Sequence, residues 1–331
     1  MRAIGDLASY MLASRLQTDL RNQADSAAES ATTGLAADKA RHLGGATLAI
    51  TLLERKSSLL VQHQRGISEA AVLAGASQAT LERIQEQSVD LANDLAIVPQ
   101  LQNSSQIQAL SLDASRVFVD TVNALNSSIA GRYLFSGSAT QTKPLPDGAV
   151  FLDMIRTDLA GASSAADVLA GVDAWFDALS GSFDAVYQGS TDGFMTLPLS
   201  SETTAVFALR ADGETPRGVL RALAKTALAE SAGLSLPEQS QILEAGRADL
   251  LQGDQWLTEE RASLGLTEAR IADAASATEA DITRIELDRL SLIGVDQFEA
   301  AAEFEAAQQQ LDVFYRIAAR QSRTSLAEYL R

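Results

Sequence analysis

GRYLFSG, residues 131–137, decides how this chain is read, because it stands where a helical sequence stops. The residues before it are rich in Ala, Leu, Gln and Ser. Two glycines then enclose Arg132, Tyr133, Leu134 and Phe135, in a chain whose aromatic content is only 5%. A glycine closing a helical run reads as a C-cap, so Gly131 is expected to end a helix covering about 104–130. In an extended segment Tyr133 and Phe135 fall on one face and Leu134 on the other, and Gly137 turns the chain outward. Gly131, Arg132, Tyr133, Phe135 and Gly137 therefore mark a domain seam. A ligand pocket around Arg132 and Tyr133 is the alternative use of the same residues.

Proline maps the regions on either side. All six prolines lie between Pro99 and Pro237, and proline is the strongest helix breaker. Two helical arms thus flank a differently built middle. The first arm carries a heptad: Leu53, Leu60, Ile67, Ala74, Leu81, Ser88 and Leu95, with Ala70, Ile84 and Leu91 at intermediate positions and Lys56, His63 and Ser77 interrupting. A helix over about 47–97 is roughly 75 Å long and cannot bury its stripe alone. Residues 32–45 are expected to be a loop before it. The second arm, about 256–329, has Phe304, Ala307, Leu311, Phe314 and Ala318 at coiled-coil spacing, with bends or breaks at Gly265 and Gly294. Between the arms, residues 193–200 and 205–213 alternate as a β-hairpin, with Pro198 on an edge strand. Helical pieces lie on both sides, in 165–183 and 216–231. The expected fold is mainly α: long antiparallel coiled-coil arms with a small α+β insert. Residues 1–137 form the N-terminal arm, 138–253 the insert and 254–331 the C-terminal arm.

Composition narrows function. A net charge of −17 argues against nucleic acid and anionic membranes as partners. No apolar run reaches the 18 residues a spanning helix needs, and the first twenty residues read as an amphipathic helix, not a cleavable signal. Cysteine is absent, which removes disulfides and thiolate metal sites. The two histidines, His42 and His63, have no partner at metal-ligand or catalytic spacing. No phosphate-loop, dinucleotide or nucleophile motif occurs. No catalytic, cofactor or metal site is expected. Asp296, Glu299 and Glu303 read as a solvated acidic face. Trp175 and Phe176 read as core, and the sequons at Asn103 and Asn126 as chance matches. What remains is a structural or interaction protein.

The residues SSIAGRYLFSG followed by TKPL, and the end of the chain, VDQFEAAAEFEAAQQQLDVFYRIAARQSRTSLAEYL, resemble the hook-associated, hook–filament junction family of the flagellin superfamily. Residues 186–212 are similar to the insert of those proteins. By this resemblance Asp296 is the family's Asp before its C-terminal helix, and Ser325, Leu326, Tyr329 and Leu330 form its terminal motif. One departure stands out: the family's Ser-Asp-Asp-Pro loop is replaced by TTGLAADKARHLGGATLAI. The resemblance implies an extracellular structural part of the flagellum, exported by its type III system. It implies a homo-oligomeric junction ring whose partners are the other junction protein, flagellin and an export chaperone. Filament flagellin is the nearest alternative, and a coiled-coil signalling protein a more distant one. In the resemblance's terms the termini, about 1–30 and 300–331, are mobile in the monomer and fold on assembly. Ile4, Leu7, Met11, Phe304, Leu311, Phe314, Leu326, Tyr329 and Leu330 are then assembly-interface residues. Intramolecular packing of the same stripe is the plainer reading.

Overall fold

The computed structural model describes residues 2–100, 103–177, 181–230 and 233–329; the side chains of 2–9, 99–100 and 321–329 are not described. Helices dominate. In chain order they are α1 (Arg2–Thr33), α2 (Lys39–His42), α3 (Leu48–Asp94), α4 (Ser104–Leu125), α5 (Gly148–Asp158), α6 (Ala165–Trp175), α7 (Phe183–Val186), α8 (Glu214–Ala227), α9 (Leu236–Ile293) and α10 (Gln297–Tyr329). Two antiparallel hairpins complete the fold: β1 (Ser128–Ile129) with β2 (Arg132–Tyr133), and β3 (Met195–Pro198) with β4 (Thr204–Phe207). The second hairpin has the expected alternation, burying Met195, Leu197, Ala205 and Phe207. The mainly α fold with a small β component is as expected.

The chain divides into two compact units: a central unit of residues 62–277, and a terminal unit of residues 1–61 and 278–331. In the central unit α3 uses the heptad read from the sequence. Ile67, Ala70, Ala74, Leu81, Ile84, Leu91 and Leu95 are buried, and so are Ser77 and Ser88. His63 is half-buried and Lys56, in the terminal unit, is exposed. The partner of α3 is α9, running antiparallel. Gln85 Nε2 donates to Asp254 Oδ1 at 2.6 Å and Arg261 Nη1 donates to Gln85 Oε1 at 2.7 Å; Arg247 Nε reaches the Ala92 carbonyl at 3.0 Å.

The α9 helix begins at Leu236, some twenty residues before the expected start, and Gly265 lies within it without a break. It has its own heptad of buried residues, Leu243, Leu250, Leu257, Leu264, Ile271, Thr278 and Ile285. Gly246 and Gly253 sit on this helix against α8, where an added Cβ would meet Thr226 and Val219. Here glycine permits close helix approach. Gly294 does break the arm, between α9 and α10.

Around this pair the central unit builds its core. Helix α4 packs on α5 and α8, and α6 on α8. Phe118, Phe151, Trp175, Phe176 and Phe183 form one aromatic cluster, with Phe118 and Phe151 edge to face at 5.3 Å. Trp175 and Phe176 are thus core residues; the indole N–H donates to Asp158 at 2.9 Å. Lys225 is also buried, held by Asp173 and Asp249 at 2.7 Å each.

In the terminal unit α1 pairs with α10. Small residues allow close approach: Ala24 and Ala27 are buried on α1, Ala300 and Ala307 on α10. The loop expected at 32–45 begins at Gly34, after the end of α1, and contains α2; the Ala36 N–H donates to the Ile293 carbonyl at 2.8 Å.

Candidate functional site: the seam and the terminal helix pair

The 131–137 stretch is a junction of backbone segments in the central unit. Helix α4 ends earlier than expected, at Leu125, with Asn126 as C-cap. Gly131 instead turns the β1–β2 hairpin together with Ala130, at φ 78° and 51°, the left-handed pair that two-residue hairpins demand. The alternation expected for 133–135 is also absent: Tyr133 is half-exposed, whereas Leu134 and Phe135 are both buried. The cause is that β2 stops at Tyr133, after which the chain pairs irregularly. The Leu134 N–H donates to the Ser127 carbonyl at 3.2 Å and the Phe135 carbonyl accepts from Ala211 at 2.8 Å.

Ser136 and Gly137 bind the 187–194 loop. The Ser136 carbonyl accepts from Ser190 N–H at 2.9 Å, and its hydroxyl donates to the Thr142 carbonyl at 2.6 Å. Gly137 has φ +60°, and a Cβ there would lie 2.5 Å from the Ser190 carbonyl and 2.7 Å from that of Gly193. Tyr187 closes the corner, its hydroxyl 3.5 Å from the Phe135 carbonyl. Burial pushes its pKa up to about 12, with Asp212's charge adding and Arg210 opposing. Arg132 is spent on an ion pair with Glu69 of α3 at 2.8 Å. Of the two residues in the ligand-pocket reading, Arg132 is thus held by Glu69 and Tyr133 is half-exposed.

The other candidate residues belong to the terminal unit. Phe304, Leu311 and Phe314 are half-buried on the same stripe as Ala300 and Ala307, on the helix that packs against α1. Over the described side chains the α10 stripe is therefore partly covered by α1 within one molecule, in line with the intramolecular reading of that stripe. Tyr315 adds a polar tie across the pair, accepting from Arg21 Nη2 at 2.9 Å and Gln17 Nε2 at 3.2 Å. These donors lower its pKa, Gln17 first and then Arg21. Met11 is exposed, and Tyr10, Leu12 and Leu16 near it are exposed too. Ile4, Leu7, Leu326, Tyr329 and Leu330 lie outside the residues whose side chains are described.

Asp296 caps α10, accepting from the Phe298 N–H at 2.8 Å. It is exposed, as are Glu299 and Glu303; His42 lines a cleft with these three. Among the described residues no group of His, Asp and Glu is arranged to hold a metal, and no helix is long and apolar enough to cross a membrane. Both sequon asparagines are engaged: Asn103 caps α4, and Asn126 Oδ1 accepts from Leu145 N–H at 2.9 Å.

Helices from the two ends of the chain pair with each other, and between them in sequence lies an α+β region, so the fold class is that of a mainly helical protein. Residues 234–330 match the family model described as the bacterial flagellin C-terminal helical region. The match coincides with α9 and α10. Among solved structures the chain is similar to Bacillus cereus FlgL, with 12% identity, TM-score 0.46, and coverage of 75% of this chain and 100% of that one. It is also similar to a putative flagellar hook-associated protein from Vibrio parahaemolyticus, with 12% identity, TM-score 0.41, and coverage of 72% and 96%. No curated protein matches in sequence.

Proposed function

We propose that this chain is a non-enzymatic structural subunit of the bacterial flagellum, of the hook-associated kind, seated in the ring between hook and filament. The observation that carries this reading is the flagellin C-terminal match over α9 and α10, the helix pair's C-terminal half, with α10 packed along α1. The GRYLFSG stretch and the terminal Ser325-Leu326, Tyr329-Leu330 motif favour the junction protein over filament flagellin. In this reading residues 138–253 form an outward insert and the flanking arms the polymerising part. Export follows the flagellar type III route, and the partners are flagellin, the second junction protein and a chaperone. Met11 and the terminal residues beyond the described side chains supply subunit contacts.

Gene deletion with electron microscopy tests it. Cells should carry bare hooks and shed unassembled flagellin into the medium. Attached filaments of normal length would refute the junction role. Long filaments grown from the purified chain on filament seeds would instead identify a flagellin.

A further inference from the structure

In the terminal unit the first turns of α3 and the last turns of α9 meet through Ile50 and Ile293, with Glu54 near Arg289. Each helix also carries a second, exposed apolar patch: on α3 it is turned away from Ile50, and on α9 it flanks Ile293. On α3 the stripe is Leu48, Leu52 and Leu59, which are 73%, 57% and 46% exposed. The exposed charges on the same face are Arg55 and Lys56. On α9 it is Leu287 and Leu290, 62% and 53% exposed, with exposed Glu279 and Glu286 on that face.

One stripe is apolar and basic, the other apolar and acidic. Glu54, beside Arg55 in sequence, is paired with Lys39 instead. Among the described residues Arg55 and Lys56 have no ion-pair partner, in a chain whose net charge is −17. Glu286 has only a loose contact with Arg289, at 3.7 Å. At about 100° per residue the α3 stripe lies roughly opposite Ile50 and faces away from its own α9, while Leu290 and Leu287 lie about 60° and 120° round α9 from Ile293. Within one molecule they cannot meet; between two molecules they can.

We infer that the α3 stripe of one copy docks on the α9 stripe of the next. Leucines form the centre of the contact, and Arg55 and Lys56 face Glu279 and Glu286 across it. Because the two surfaces differ, the contact is head-to-tail, and its repetition gives a ring or a helical array. Complementary charge sets the direction in which copies add. The inference rests on the assembly reading above and specifies which side faces meet.

The chain has no cysteine, so disulfide trapping is clean. A Leu52→Cys/Leu287→Cys chain replaces the native one in flagellated cells, and isolated flagella are oxidised and run on non-reducing gels. A ladder beyond the dimer is expected from the double variant and none from either single variant. Dimers from a single variant would mean a self-complementary contact and overturn the inference. No ladder from flagella that still carry filaments would overturn it as well.

Should the cysteine chains block assembly, charge reversal decides. Arg55→Glu/Lys56→Glu should reduce filament-bearing cells at least tenfold, and adding Glu279→Lys/Glu286→Lys should restore them. Absence of either effect refutes the pairing. The deletion strain separates the two claims. Filaments attached without the gene defeat the junction reading; filaments lost without it, but no ladder and no charge effect, defeat only this surface.

Discussion

Gly137→Ala should destabilise the central unit through two separable effects. The residue has φ +60°, and the left-handed region costs a residue with a Cβ about 1–2 kcal/mol. The methyl group would also lie 2.5 Å from the Ser190 carbonyl and 2.7 Å from the Gly193 carbonyl, so the 187–194 loop must retreat. Retreat weakens Ser190 N–H to Ser136 carbonyl, at 2.9 Å, and Ser138 N–H to Gly193 carbonyl, at 3.1 Å. Each such bond contributes about 1 kcal/mol, giving a total loss of about 3–4 kcal/mol. At roughly 2–4 °C per kcal/mol for a unit of this size, Tm falls by roughly 6–16 °C.

Gly131→Ala is the internal control. It has φ +78° but no atom within 4 Å of the added Cβ, so only the conformational cost of about 1–2 kcal/mol applies. Urea unfolding of both variants, followed by far-UV circular dichroism, measures the difference. Equal losses would refute the argument that crowding at the 187–194 loop makes Gly137 obligatory.

Lys225→Met should cost about 1.5–3 kcal/mol by leaving Asp173 and Asp249 without their shared cation, and a denaturation midpoint unchanged from wild type would contradict that. Ser77 and Ser88 are buried on the α3 seam with no hydrogen-bond partner for their hydroxyls. Alanine at both should therefore raise stability by about 1–3 kcal/mol, measured by the same urea titration. Glu260 has its pKa raised by burial, opposed by the Thr215 hydroxyl. A carboxyl raised in the folded state binds its proton more tightly there, so stability is lost as pH rises through the window between the unfolded and folded values. Glu260→Gln should accordingly stabilise at neutral pH relative to acid pH; a variant-minus-wild-type difference flat with pH would disprove the shift.

The legible parts of this fold were those governed by local periodicity. The α3 heptad placed the helix to within a few residues, and alternation placed the β3–β4 hairpin. Trp175 and Phe176 were read as core, and core they are. The flagellin-type C-terminal region was legible in the sequence, and the family match at 234–330 agrees. What went unread had a signal of the same kind. Leu243, Leu250, Leu257, Leu264 and Ile271 repeat every seven residues, but the arm was expected to start only at about 256, beyond Gly246 and Gly253. They are contact points for α8, which only the assembled helices reveal. The half-buried Phe304, Leu311 and Phe314 could be read from the sequence as intermolecular or intramolecular, because an amphipathic stripe does not name what covers it.

At residues 131–137 the division is clearest. The sequence by itself determined that helix gives way to another kind of structure there, since glycine and clustered aromatics interrupt any 3.6-residue pattern. Tertiary structure decided what each residue does. Gly131 turns a hairpin and does not cap α4, Arg132 reaches Glu69, and Gly137 is required by carbonyls more than fifty residues away. Those roles depend on distances between segments remote in sequence, and local propensity carries no information about them.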